Sequence, residues 1–135
     1  MKTGISNPKE QFLLGAGLDV LHFESKEWLN NIAFWKDEVR FFDNLLKQKE
    51  SSKKKNLDVE KMLLNLDKIH IDLFKDLEDS IKNHEQLLSR IERSEKGLSD
   101  YDYREKHNRI KNRINVFESD FKSFKKIIFE FMKEL

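Results

Sequence analysis

A single proline, Pro8, stands in the whole chain, and the four glycines are Gly4, Gly15, Gly17 and Gly97. Proline and glycine are the residues that most readily end a helix, one by removing a donor and clashing with the preceding turn, the other through its backbone freedom. Between Gly17 and Gly97, and again from Leu98 onward, neither occurs. A chain so free of breakers is constrained to long helices, and the spacing of its apolar residues says how those helices pack.

The spacing alternates between four and three. One segment reads Leu21, Ser25, Trp28, Ile32, Trp35, Val39, Phe42, Leu46. A second reads Val59, Leu63, Leu66, His70, Leu73, Leu77, Ser80, His84, Leu87, Ile91. The third reads Tyr103, His107, Ile110, Ile114, Phe117, Phe121, Phe124, Ile128, Phe131, Leu135. Each is a heptad seam, the pattern of helices crossing at shallow angles in a bundle, and no stretch keeps the period of two that a strand needs. The polar run from Lys49 to Asn56 and the Lys96-Gly97-Leu98-Ser99 break are short connections, so successive helices run antiparallel. Gly97 suits a left-handed position after one helix, and Ser99 caps the next. Asn7-Pro8-Lys9-Glu10 carries the signals of a helix start, with Asn7 as cap and Pro8 in the first turn. The expected fold is all-α: an antiparallel, up-down-up bundle of three long helices plus a short N-terminal helix. Residues 1–17 form a tail containing the short helix, and residues 18–135 form a single helical-bundle domain.

Composition narrows the chemistry. There is no cysteine, so disulfides, thiolate metal sites and thiol nucleophiles are excluded. Lys and Arg number 26 against 25 Asp and Glu, a net charge of +1 that gives no bulk attraction to nucleic acid or anionic membrane. The longest apolar stretch near the N-terminus is Phe12-Leu13-Leu14, far short of a signal or a membrane span. The expectation is a soluble cytoplasmic protein without a membrane partner.

Helix 1 carries more apolar surface than one seam explains. Phe23, Phe34, Phe41 and Leu45 lie about 100–150° from the seam at 100° per residue. A second apolar face needs a second cover. Three covers are open: the N-terminal segment folding back, a second copy of the chain, or a different protein. Phe34, Phe41, Leu45 and Phe23 are the expected interface.

The histidines are the other candidates. His70, His84 and His107 fall on seam positions, where both ring nitrogens need partners. Reflection through the two connections places His84 at the level of His22 and near Lys111, with His107 about one turn away. His22, His84 and His107, with Glu24 and Glu85, therefore gather near one end of the bundle, together with Ser25 and Ser80. His70 faces the level of Trp35 and Lys36 and stands apart. Two readings follow: buried histidines satisfied by Ser, Glu or water, or a site for a transition-metal ion, the one cofactor these residues admit. His22 points away from the seam, so joining a metal would require the first turn of helix 1 to unwind or rotate. The Glu-x-x-His pattern of di-iron bundles is not met, since the nearest pairs, Asp19-x-x-His22 and Asp67-x-x-His70, sit at different levels.

Other patterns lead nowhere. Gly15-Ala16-Gly17 lacks the third glycine and the preceding strand of a nucleotide cradle, and no G-x-S-x-G elbow occurs. Asp37-Glu38 and Glu78-Asp79 read as solvated carboxylates opposite Lys or Arg at i+3 or i+4. Lys53-Lys54-Lys55 and the Lys106, Arg109, Arg113 stripe are basic, but interleaved acids make a nucleic-acid surface the weaker reading.

The run His22-Phe23-Glu24, Trp28-Leu29, Phe34-Trp35-Lys36-Asp37-Glu38, Phe41-Phe42 resembles the opening of small uncharacterised bacterial helical-bundle proteins. That resemblance covers about a fifth of the chain and implies a bacterial cytoplasmic protein, with no activity attached. The functional expectation is a non-enzymatic bundle acting by self-association or by binding a protein partner. The alternative is a metal- or small-ligand-binding bundle built on the core histidines.

Overall fold

The computed structural model describes residues 17–52, 57–93 and 100–134. Helix α1 spans Leu18–Ser52. Helix α2 spans Leu57–Ile71, runs through a π-helical turn at Asp72–Leu77, and continues as α3 over Glu78–Glu92. Helix α4 spans Asp100–Lys133. Because α2, the π turn and α3 form one continuous rod, the molecule is an all-α bundle of three long rods. At 1.5 Å per residue, the 35 residues of α1 extend about 52 Å. The helix starts where the Gly17 carbonyl accepts the amides of Val20 and Leu21, with Asp19 placed against the positive end of the dipole.

Cross-rod ion pairs show the directions. Glu24 meets His107 and Lys111, and Glu38 meets Lys125, at sequence separations of 83, 87 and 87, so α1 and α4 run parallel. Going from His22–Glu85 to Lys36–Glu78 the separation drops from 63 to 42, the mark of antiparallel neighbours. Up-down-up order is thus carried by named side chains. Two of these pairs correct the sequence reading. Glu38 and Glu78 do not lie in solvated faces; they reach across to Lys125 and Lys36 from partly buried positions.

The seams of α1 and α4 are buried as their spacing demands. Leu21, Trp28, Ile32, Trp35, Val39, Phe42 and Leu46 line the core from α1, and Tyr103, Ile110, Ile114, Phe121, Phe124 and Ile128 line it from α4, with Phe117 and Phe131 packed at its edge. Leu135 lies outside the described residues. The middle rod departs from its expected seam. Met62 is buried and Leu63 only partly so, while His70 is exposed and Ile69 takes its place; Ile81 and Leu88 are buried where Ser80 and Leu87 were expected.

The cause is one extra residue. The observed stripe is Val59, Met62, Leu66, Ile69, Leu73, Leu77, Ile81, His84, Leu88, Ile91, with three consecutive steps of four from Ile69 to Ile81. In a plain α-helix each step of four turns the stripe by about 40° at 100° per residue. A π turn closes i to i+5 rings and so absorbs one additional residue, which returns Leu77 and Ile81 to the core. Leu73, Leu77 and Ile81 are at most 4% exposed, so the compensation is complete.

The expected N-terminal helix, Lys53-Lys54-Lys55, and the Gly97 and Ser99 caps fall outside the described residues. Among the described residues, no helix is long and apolar enough to cross a membrane.

Candidate functional site: a polar layer and an aromatic face

Three buried residues of the described chain are polar, and each comes from a different rod: Ser25, His84 and His107, all 0% exposed. They form one layer. Outside it lies a small apolar cap of Leu21, Leu88 and Tyr103; inside it begins the main core at Trp28. Packing holds both imidazoles. His84 stacks on Tyr103 at 4.1 Å with the rings 5° apart, and His107 lies 4.5 Å from the Trp28 ring. Tyr103 precedes His107 by one helical turn on α4, which brings both rings against His84.

The polar atoms form a directed chain. His84 Nε2 is 3.0 Å from His107 Nδ1, His107 Nε2 is 2.7 Å from Glu24 Oε1, and Lys111 Nζ donates to Glu24 Oε2 at 3.2 Å. A carboxylate only accepts, so His107 Nε2–H donates to Glu24. Neutral His107 then presents a lone pair at Nδ1, and His84 Nε2–H donates to it. His84 is left with a lone pair on Nδ1, which has no hydrogen-bond partner. Beside this chain, His22 Nδ1 pairs with Glu85 Oε2 at 2.6 Å. Ser25 Oγ, Glu85 Oε1 and the Tyr103 hydroxyl are also buried without a hydrogen-bond partner.

Burial sets the protonation states. Loss of water, reinforced by electrostatic competition with His107 for a proton and by the Lys106 cation, pushes His84 down to about 3. Burial also lowers His107, with the hydrogen bond to Glu24 opposing it. The Tyr103 hydroxyl is pushed up, chiefly by burial and then by the Glu85 and Glu92 carboxylates.

The structure therefore brings together all five residues expected at this end, but as a His22–Glu85 pair beside a Glu24–His107–His84 chain. Metal ligation needs several lone pairs converging on one point at about 2.0–2.2 Å. Here both His107 nitrogens, His84 Nε2 and His22 Nδ1 face another imidazole or a carboxylate, and among the described residues no group of three or more His, Asp or Glu side chains could hold a metal ion. From a regular α1, His22 reaches Glu85 with a partly exposed side chain and does not join the two buried imidazoles. Ser80 is absent from this chain and accepts from Arg113 instead. Sequence reasoning missed Tyr103 as a stacking partner, although its place four residues before His107 carried the signal. Of the basic stripe, Arg113 is paired with Asp76.

The second apolar face of α1 stands clear of the core. Phe23, Phe34 and Phe41 are 64%, 62% and 58% exposed. Their spacings of eleven and seven keep all three within about 20° on the helix. Leu45, expected with them, is half-buried at the margin. Phe41 meets the edge of Phe42, which in turn meets Phe129 of α4, so the aromatic surface crosses onto a second rod. Phe129 is half exposed and had not been expected there, because heptad counting places it outside the seam.

The chain matches no family model, no curated protein and no solved structure, so function must be argued from these two sites.

Proposed function

We propose that the protein is a non-enzymatic association module in which the Phe23–Phe34–Phe41 face of α1 binds a second copy of the chain. The observation that carries this is three phenylalanines on one stripe, each more than half exposed, running about 27 Å along the helix. Single exposed apolar residues are ordinary, but an aligned aromatic row is the usual mark of an interface. The choice of a second copy rests on charge. A net charge of +1 gives neither repulsion between copies nor attraction to a charged partner. Exposed Glu27, Asp37 and Arg40 beside the row supply both signs, as a two-fold contact requires. The fully buried imidazoles support the non-enzymatic part, since a general base must reach its substrate.

A fully buried Phe covers about 150–250 Å², so three rings at these exposures offer about 300–450 Å² per copy. A standard interface uses about 800 Å² per partner, which places the expected affinity in the micromolar range or weaker. Sedimentation velocity from 1 to about 200 μM should show a concentration-dependent dimer, lost in Phe34→Lys and Phe41→Lys variants that melt like the parent. A strict monomer across that range, or a dimer unaffected by both substitutions, would overturn the proposal.

A further inference from the structure

We infer that the Glu24–His107–His84 chain is a proton-operated latch: added protons release the end of the bundle formed by the start of α1, the end of α3 and the start of α4. The hydrogen positions in this chain leave a single place for an added proton. Glu24 accepts from His107 Nε2, and only one hydrogen fits between the facing His84 Nε2 and His107 Nδ1 atoms, 3.0 Å apart. Any proton added to the pair must therefore come to rest on His84 Nδ1, and no acceptor bonds to that buried atom. A second added proton has no place without breaking the contact between the rings.

The Glu24 and Glu85 carboxylates favour a positive charge on His107, but neither is hydrogen-bonded to His84 Nδ1. From α1, Glu24 is shared with Lys111, and His22 engages Glu85 of α3. From α4, Lys106 and Lys111 are cations that oppose a further positive charge, and Tyr103 presents its ring face to His84. Glu92, Asp100 and Arg104 surround Tyr103 at the outer rim. Both imidazoles titrate below the ordinary value near 6.5, His84 at about 3, so the open state holds more protons than the closed one. The contribution of the two imidazoles to closure is full above pH 6.5 and weakens as pH falls below it. The device is local, because among the described residues the main core from Trp28 onward contains no buried histidine.

The test is amide hydrogen exchange of the full chain at pH 7.5 and pH 5.0, corrected for intrinsic rates. Carboxylates in general stay ionised over this span, which isolates the imidazoles. From the proton taken up by His84 alone, the opening constant of residues 18–28, 84–92 and 100–110 should rise about thirtyfold, and uptake by His107 adds to that. Residues 32–46 should change far less. Trp28 fluorescence in a Trp35→Phe variant should follow the same transition. His22→Ala and His70→Ala should keep the response, and a His84→Gln, His107→Gln double variant should lose it. The latch is overturned if the wild-type exchange at this end does not accelerate, if the whole chain accelerates equally, or if the double variant still responds. The first two outcomes are read on the wild-type protein and do not depend on the double variant folding.

Discussion

Deleting one residue from the middle rod should be nearly harmless at one place and severe ten ångströms further on. Removing exposed Lys75 from the π turn leaves Leu77, Ile81, His84, Leu88 and Ile91 at three, seven, ten, fourteen and seventeen residues after Leu73. Those are ordinary heptad positions, so a plain α-helix would present the same faces to the core. The rod shortens by about 1.5 Å, a shift that the long side chains of the Lys36–Glu78 and Arg113–Asp76 pairs can follow. The expected cost is at most about 1.5 kcal/mol, the scale of a conservative core repacking. Removing Lys82 instead leaves the π turn in place and rotates everything beyond Ile81 by about 100°. Leu88, 1% exposed, leaves the core, and His84 loses both His107 and the Tyr103 ring. Taking a buried leucine out of a core costs about 2–5 kcal/mol, and the orphaned His107 adds about 1–3 more. Urea denaturation followed by circular dichroism, with matched m-values, would measure both. Equal destabilisation by the two deletions would refute the view that the π turn exists to absorb a single surplus residue.

Trp28 supports both the main core and the polar layer, being 5% exposed and 4.5 Å from His107. Trp28→Ala should cost about 3–5 kcal/mol in denaturant melts, and a loss under 1 kcal/mol would show that the layer does not depend on it. Zinc at a few equivalents should leave the melting temperature unchanged at pH 7.5, since of the two buried imidazoles only His84 Nδ1 lacks a hydrogen-bond partner, and one lone pair is no ligand set. A rise of several degrees would mean that the histidines reorganise into a ligand set.

Reading the chain without its structure reached far in two rods and less far in the third. Trp28, Trp35, Val39 and Phe42 on α1, and Ile110, Ile114 and Phe121 on α4, are buried at the positions their spacing assigns, because an uninterrupted α-helix converts spacing directly into direction. The same arithmetic failed between Ile69 and Ile81. There the apolar residues admit two nearly equivalent stripes, one through His70 and Ser80, the other through Ile69 and Ile81. The choice depends on a backbone hydrogen-bond shift that leaves no mark in residue type. The gathering of His22, Glu24, His84, Glu85 and His107 was legible from levels along the bundle, since rise per residue is constant.

Side-chain direction across rods was not legible. Whether two imidazoles face a common ion or each other depends on fractions of a turn, and these are set by how Trp28 and Tyr103 pack around them. The absence of helix breakers and the heptad spacing were therefore enough to specify an all-α bundle, its order and most of its core. Tertiary packing alone decided the π turn, the pairing of His84 with His107, and the contact of half-exposed Phe129 with Phe42. The physical reason is that helix geometry is local and repetitive, whereas these features arise where three rods must satisfy one another's surfaces at once.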